Sequence, residues 1–325
     1  MVVRRQLERR HVLAFFFRSC RHVWLALRLV PRLTIDRGNS KRLANGTSDA
    51  SKPHNRGSIP PMTFSWAQEA LAVLSGGAVG FSLGLIGGGG SILAVPLLLY
   101  VVDITDPHVA IGTSALSVAA NAFANLLGHW RAGNVKWSCA ATFALAGVVG
   151  AAIGSTLGKL VDGQQLLFLF ALAMIAVGVV MLRPRVAAGN ADVRITAWMA
   201  VRLTAIGLVV GAVSGFFGIG GGFLIVPGLM LATGMPILNA IGSSLFSVGS
   251  FGLTTAINYA LSDLIEWAIA LLFIAGGVAG GYGGMRAAVS LAANRRSLTF
   301  VFAGIIFAVA TYMLVRTGIP PWLSI

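Results

Sequence analysis

A run of glycines set inside a long apolar region occurs twice in this chain. Residues 84–96 read G-L-I-G-G-G-G-S-I-L-A-V-P, and residues 215–227 read G-F-F-G-I-G-G-G-F-L-I-V-P. Glycine is poor in helix interiors and adopts backbone conformations that other residues avoid, so each run predicts a break in a membrane helix. Non-helical backbone at membrane depth is tolerated only where it is buried in protein or lines a cavity. Two such breaks therefore indicate a binding site.

The composition is that of a polytopic membrane protein. Hydrophobic residues make up 56% of the 325-residue chain and charged residues 10%. The mean hydropathy is +0.83, so the chain lacks the polar surface that a soluble protein of this length needs. The apolar segments predicted as helices are 66–86, 91–102, 109–128, 137–160, 165–182, 200–217, 223–232, 239–260, 265–285 and 298–315.

The second half of the chain repeats the first. An offset of 131 residues aligns Gly84 with Gly215, and an offset of 130 aligns A-I-G-T-S at 110–114 with A-I-G-S-S at 240–244. We therefore predict an all-α polytopic membrane protein of two homologous helical repeats, each with a glycine-broken first span, and about eight spans in total. The predicted domains are a basic N-terminal extension (1–61), a first transmembrane repeat (62–188) and a second transmembrane repeat (189–325).

The net charge of +14 is concentrated at the N-terminus. Residues 1–61 carry thirteen basic and three acidic side chains, a net charge of +10. This extension is either a disordered or membrane-surface segment or an artefact of an over-long gene model, with Met62 as the true start. A translated basic flank favours a cytoplasmic N-terminus. No folded basic domain is indicated, so we expect no nucleic-acid partner.

The topology depends on the glycine breaks. If each run joins its flanking pieces into one broken span, each half has four crossings and both termini are cytoplasmic, which is the arrangement we expect. If the pieces are separate crossings, each half has five and the repeats are inverted. The central linker arginines, Arg183, Arg185 and Arg194, then lie outside.

The repeated motifs resemble a known family. The paired G-x-x-G-x-G-G-x-x-x-x-x-P segments, each followed by A-I-G-[ST]-S and later by a tryptophan and a glycine-spaced helix, resemble the TauE/SafE sulfite exporter family over about residues 64–316. The resemblance implies a multi-pass permease of the bacterial inner (plasma) membrane with about eight spans, associated with sulfite, sulfonates and related small anions. The N-terminal extension lies outside the resemblance.

The residues themselves favour an anion site. A glycine-rich break before a helix presents unpaired N–H groups and the positive end of the helix dipole, which attract oxyanions. Nearby hydroxyls donate hydrogen bonds without a permanent charge, which suits reversible binding. Two asparagines spaced by four either line the path or bond neighbouring helices. The expected substrate-binding residues are Gly87, Gly89, Gly90, Ser91, Thr113, Ser114, Gly218, Gly220, Gly221, Gly222, Ser243, Ser244, Asn121 and Asn125.

Other small or polar residues have structural interpretations. Glycines spaced by four are typical of a face along which two membrane helices pack closely. Such stripes lie at Gly150, Gly154 and Gly158, and at Gly276, Gly280 and Gly284. We expect Cys139 in the core, His129 at the membrane interface and His108 in a loop.

The mechanism that we predict is export of the anion. The acidic residues of the apolar region all fall at span ends or in loops, away from the span centres where proton relays lie. An inside-negative potential of 100 mV favours exit of one negative charge by about 2.3 kcal/mol. We expect no catalytic residue, metal or cofactor, and as partners a small anionic sulfur-containing substrate and membrane lipid. The sequence is compatible with a homodimer. The alternatives are a non-transporting membrane assembly or sensor protein and an intramembrane hydrolase using Ser114 or Ser244 with His129.

Overall fold

The described part of the chain is helical. The structure, a computed structural model, describes residues 65–182, 196–218, 222–290 and 295–318, and these contain ten α-helices and no strand. The predicted extension 1–61 lies outside the described residues. The helices are α1 Trp66–Ile86, α2 Ala94–Tyr100, α3 Pro107–Arg131, α4 Trp137–Leu160, α5 Gly163–Leu182, α6 Ala197–Phe217, α7 Gly222–Thr233, α8 Ile237–Ala260, α9 Trp267–Ser290 and α10 Arg295–Thr317, with a 3₁₀ helix Gly88–Leu93 before α2.

Six of the described helices are long and apolar enough to cross a membrane: α1, α3, α4, α6, α8 and α9. The bounds of α1 and α4 coincide with those predicted, and the other helices lie within a few residues of theirs. The start of α3 is set by Asp106, whose carboxylate accepts from the His108 N–H at 2.7 Å, followed by Pro107 in the first turn. His108 therefore lies in α3, and the prediction of a loop there is wrong.

The glycine run after α1 turns the chain back on itself. The Gln68 side chain, near the start of α1, donates a hydrogen bond of 3.2 Å to the carbonyl of Val102, just beyond the end of α2. Gly90 lies against the backbone of Leu83, so α1 and α2 lie side by side as an antiparallel hairpin with Gly87 at its tip. The expectation that both pieces form one broken crossing is wrong, because the 21 residues of α1 are already about 30 Å long.

The second half contains a corresponding hairpin. Its tip is Gly218, and α7 returns along α6 with Gly228 beside Ile206: a Cβ on that glycine would lie 3.1 Å from the isoleucine methyl. The first hairpin's 3₁₀ helix also contacts α7, so the two hairpins are neighbours.

The long helix of each hairpin pairs with a helix of the opposite half. α1 packs along α9, and α6 packs along α4. Gly80 meets Gly277 and Gly84 meets Gly281, so the positions advance together and the two helices are parallel. Small residues allow this close approach of backbones.

The prediction that the glycine stripes are packing faces is confirmed. A Cβ at any stripe position of α4 would collide with the backbone of α6, and one on α9 with the backbone of α1. The residues contacted are Leu208, Ala212 and Phe216 on α6, and Val73, Gly77 and Phe81 on α1.

The two most enclosed of the six candidate spans, α3 and α8, contact each other between these pairs. Both carry buried polar side chains: Thr113, Ser114, Ser117, Asn121, Asn125 and His129 on α3, and Ser243, Ser244, Ser247, Thr255 and Tyr259 on α8. His129 is 6% exposed and lies in the last turn of α3, and its place at the membrane interface stays a prediction. Cys139 is 1% exposed, which confirms its predicted place in the core.

Candidate functional site

Both predicted helix breaks are present, each at the first inner glycine of its run. Gly87 has φ of +78° and Gly218 has φ of +66°, a left-handed conformation that favours glycine. Gly218 directly follows the last residue of α6, and Gly87 directly follows that of α1. Gly220 and Gly221 lie outside the described residues.

Each break contacts the A-I-G-[ST]-S segment of the opposite half. A Cβ on Gly87 would lie 2.7 Å from the Ile241 side chain, and one on Gly218 would collide with the Ile111 side chain. The two isoleucines occupy equivalent positions in the A-I-G-[ST]-S motif. The glycine breaks and the second motif, which are far apart in sequence, therefore form two cross-half clusters.

One hydroxyl joins the break to the opposite motif directly. Ser114 Oγ donates to the carbonyl of Ile111 at 2.8 Å and lies 3.3 Å from the carbonyl oxygen of Gly218. Ser244 Oγ donates to the carbonyl of Ile241 at 2.8 Å. Both hydroxyls therefore donate to backbone in this state, and each must rotate to donate to a bound anion.

The neighbouring hydroxyls anchor loops. Thr113 Oγ1 accepts from the backbone N–H of Glu266 at 2.9 Å, and Ser243 Oγ accepts from the backbone N–H of Lys136 at 2.9 Å. These N–H groups lie immediately before α9 and α4, respectively. Because a hydroxyl that accepts still has its own hydrogen, Thr113 and Ser243 retain the capacity to donate to a substrate.

The expected site residues thus form two groups. The Gly218 cluster contains Ile111, Thr113, Ser114 and Gly218, and the Gly87 cluster contains Gly87, Ile241, Ser243 and Ser244. They lie toward opposite faces, since Thr113 bonds the loop before α9 and Ser243 the loop before α4. Gly89, Gly90 and Ser91 are buried in the 3₁₀ helix beside the Gly87 cluster, and Gly222 is buried at the start of α7.

The two predicted asparagines face α9 and α1. Asn125 Nδ2 donates to the backbone carbonyl of Asn121 at 2.9 Å and lies against Gly281. Asn121 is fully buried, its amide lies against Gly277, and neither amide atom has a hydrogen-bond partner among the described residues. Sequence reasoning missed Ser117, which continues this buried stripe one turn away; its four-residue spacing from Asn121 could have identified it.

Charge is divided between the two ends of the helix bundle. The start of α1 and the ends of α2, α4 and α8 meet at one end together with the loop before α9. The acidic face at this end carries Glu69, Asp103, Asp106, Asp162, Asp263 and Glu266, with Lys159 and Arg316. The basic face at the other end carries Arg131, Lys136, Arg202 and Arg286 among the described side chains.

Comparison with known proteins assigns the family. The family model described as "Sulfite exporter TauE/SafE" matches residues 72–313. The chain belongs to the TauE/SafE family. It is 54% identical over 248 residues to a "Probable membrane transporter protein" of Xylella fastidiosa, covering 76% of this chain and 95% of that protein. It is 29% identical over 229 residues to "Probable membrane transporter protein YunE" of Bacillus subtilis, covering 64% and 83% of the two chains. No solved structure matches.

The family and the helices together establish the class of protein. This TauE/SafE member is a multi-pass protein of the bacterial inner membrane and a membrane transporter. Transporters of this family are in general not enzymes, and their function implies a small-molecule substrate and a lipid environment.

Proposed function

We propose that this chain exports a small anion, with sulfite, a sulfonate or a related sulfur compound as substrate, through a site between its two glycine-broken hairpins. The observation that carries the proposal is the reciprocal contact of each break with the A-I-G-[ST]-S segment of the other half. A movement of one hairpin must therefore displace the motif of the opposite half. Such coupling is what a transporter built from two repeats requires.

The chemistry of the two clusters suits a weakly bound anion. Each combines a helix break with serine or threonine hydroxyls, and neither contains a carboxylate or a cationic side chain. Rotation of Ser114 and Ser244 away from their own helices would present donors to the anion. Neutral donors bind less tightly than arginine does, so the anion is released readily.

The helix directions support an inverted repeat with five passes in each half. α1 begins at the acidic face and α6 begins at the basic face, so corresponding helices of the two halves run in opposite directions. On this proposal the short return helices α2 and α7 count as passes. This arrangement replaces the expectation of four crossings per half.

The charge division supports an orientation. Cytoplasmic loops of membrane proteins carry an excess of lysine and arginine. The basic face, with four basic and no acidic side chains among those described, is therefore proposed to lie in the cytoplasm. The C-terminal end of α10 then lies outside, since the Tyr312 ring is 5.1 Å from that of Tyr100 at the acidic-face end of α2. This reverses the orientation expected from the basic extension 1–61.

The membrane potential can supply the driving force. With the basic face in the cytoplasm, an anion moves from the Gly87 cluster to the Gly218 cluster as it leaves the cell. An inside-negative potential of 100 mV favours that movement by about 2.3 kcal/mol per charge. No coupling ion is required for export in this scheme.

The proposal is tested by flux in proteoliposomes that contain the purified full chain. Sulfite, sulfoacetate, taurine and sulfate are supplied in turn under an imposed potential, with and without a pH gradient. We expect potential-driven flux of one sulfur oxyanion. Absence of flux under every gradient would favour the assembly or sensor interpretation. The homodimer stays a prediction, which light scattering of the same preparation measures.

A further inference from the structure

A lysine at the acidic face is held entirely by neutral oxygen atoms. Lys159, in the last turn of α4, donates from Nζ to the carbonyl of Asn258 at 3.0 Å, to Asn258 Oδ1 at 2.8 Å and to Ser262 Oγ at 2.9 Å. An ammonium group has three donors, and these three bonds use all of them. None of these partners carries a negative charge, so they leave the positive charge of Lys159 uncompensated, and it can attract an anion electrostatically.

The lysine is fixed in position by a network between α4 and α8. Asn258 Nδ2 donates to Ser155 Oγ at 2.7 Å and to Thr156 Oγ1 at 3.0 Å. The same asparagine thus bonds α4 through its amide nitrogen and Lys159 through its amide oxygen. This network holds the cation at the junction of the two helices.

Beside the lysine lies a buried tyrosine whose hydroxyl has no partner. Tyr259 is 0% exposed, and its Oη makes no hydrogen bond with any described residue. Its ring centroid is 5.9 Å from Lys159 Nζ and 6.5 Å from the His108 ring, whose Nδ1 also lacks a described partner. A buried polar atom without a partner destabilises a folded protein, so these atoms need an explanation.

The polar track continues one turn deeper and then stops. Thr255 lies on the same face of α8, is 0% exposed, and its hydroxyl likewise has no described partner. One further turn along, Phe251 stacks on Phe143 with ring centroids 6.2 Å apart and lies against Gly147. The track of polar groups therefore runs from the half-buried Lys159 at the acidic face to Thr255 and ends at aromatic rings toward the centre.

We propose that Lys159, Tyr259 and Thr255 form a second anion site, the acidic-face vestibule, through which the substrate passes after it leaves the Gly218 cluster. Lys159 supplies the positive charge, and the two hydroxyls donate to the oxygens of a small oxyanion. The identity of the anion that binds in the vestibule rests on the proposed function. Binding of Lys159 to the α8 carbonyl would also cap that helix, but capping does not explain two buried hydroxyls without partners.

The test uses variants for which a structural role and a binding role predict different results. Tyr259→Phe removes an oxygen that makes no bond, so a structural role predicts unchanged or higher thermal stability and unchanged transport. The vestibule predicts about a tenfold rise in KM for sulfite flux. Lys159→Gln should raise KM by at least as much, and Lys159→Arg should restore most of the affinity because it keeps the charge.

Matched controls are available on the same helices. Thr255→Val should raise KM, whereas Thr254→Val should not, because Thr254 donates to the carbonyl of Ser250 at 2.8 Å outside the vestibule. Tyr282→Phe controls for Tyr259→Phe, since Tyr282 is 55% exposed and also lies beside a cation, Arg286, at 4.3 Å. Unchanged KM in both Tyr259→Phe and Lys159→Gln, with sulfite flux in the parent protein, overturns the vestibule.

A binding measurement separates the two proposals. The thermal unfolding midpoint of the purified full chain is measured against sulfite, sulfate and phosphate for the parent protein and the same variants. One outcome is that an anion stabilises the parent protein, that neither Tyr259→Phe nor Lys159→Gln is stabilised, and that the parent shows no flux. This outcome supports the vestibule as a binding site and contradicts the proposed permease function. If the parent shows neither flux nor stabilisation by an anion, both proposals fail.

Discussion

Gly218, at the end of α6, is packed against Ile111 of α3 from the other half of the chain. Its φ is +66°, and a Cβ at this position would collide with the isoleucine γ2 methyl. The position thus excludes a side chain for two independent reasons, the left-handed backbone and the absence of space. The break in α6 and the docking of the opposite motif depend on the same residue.

Substitution of Gly218 by alanine separates these two reasons. We expect a loss of about 1–2 kcal/mol from the backbone conformation and a further 1–3 kcal/mol from the collision, together with loss of transport. Gly234→Ala is the matched control, because Gly234 has φ of +67° but nothing within 4 Å of the added Cβ. The unfolding free energy is measured in detergent by denaturant titration. Transport is measured as flux in proteoliposomes.

A double variant checks the contact itself. Ile111→Ala removes the colliding methyl but also empties a buried position, so the double variant Gly218→Ala with Ile111→Ala should lose less stability than the sum of the two single-variant losses. Equal losses for Gly218→Ala and Gly234→Ala would mean that the contact with α3 contributes nothing beyond the backbone term.

The glycine stripe of α4 gives a second prediction. Gly154→Ala places a methyl against the backbone of Ala212, so α4 and α6 must separate, and we expect a loss of about 1–3 kcal/mol. Gly304→Ala in α10 is the control, since nothing lies within 4 Å of its added Cβ. That substitution should stabilise by about 0.5–1 kcal/mol, because alanine favours helix over glycine. Thermal unfolding of both variants in the same detergent tests whether Gly154→Ala lowers the stability and Gly304→Ala raises it.

Local sequence signals predicted the helices well and their pairing poorly. The run 137–160 predicted α4 with the observed bounds because its apolar length and flanking polar residues are local properties. The return of α2 along α1 depends on Gln68 meeting Val102, 34 residues away, and no periodicity reports such a contact. The pairing of α1 with α9 of the other half, in which Gly80 meets Gly277, is also a long-range contact that no periodicity reports.

The candidate site was predictable in its residues but not in its arrangement. The repeated motif identified Gly87, Gly218 and the hydroxyls after each A-I-G. It could not show that they form two clusters toward opposite faces, because this follows from the opposite directions of the hairpins. Lys159 gave no motif signal, since its partners lie about 100 residues away on α8.

The proposed anion contacts give a third prediction. Ser114→Ala and Ser244→Ala should each raise KM for the transported anion about fivefold, which corresponds to about 1 kcal/mol for one lost hydrogen bond. Ser250→Ala is the control, because Ser250 makes the same kind of bond, to the carbonyl of Phe246 at 2.8 Å, outside both clusters. Flux measured over a range of substrate concentrations gives KM. If all three variants behave alike, the hydroxyls of the clusters do not contact the substrate.

The anchoring hydroxyls should affect stability more than the donors do. Thr113→Val keeps the shape of the side chain but leaves the Glu266 N–H without its acceptor, and we expect a loss of about 1–3 kcal/mol. Thr113→Ser keeps the acceptor and should lose much less. Thermal unfolding distinguishes them, and equal stability of the valine and serine variants would contradict the anchoring role.

The charge division predicts which loops face the cytoplasm. Ala132 is exposed in the loop between α3 and α4 on the basic face, and Leu261 is 82% exposed just after α8 on the acidic face. In a background of Cys20→Ser and Cys139→Ala, spheroplasts carrying Leu261→Cys should react with a membrane-impermeant maleimide, and those carrying Ala132→Cys should react only after permeabilisation. The physical reason is the excess of described lysine and arginine side chains on the basic face, which carries four against two on the acidic face. The opposite labelling pattern would place the acidic face in the cytoplasm, and the path from the Gly87 cluster to the Gly218 cluster would then lead inward.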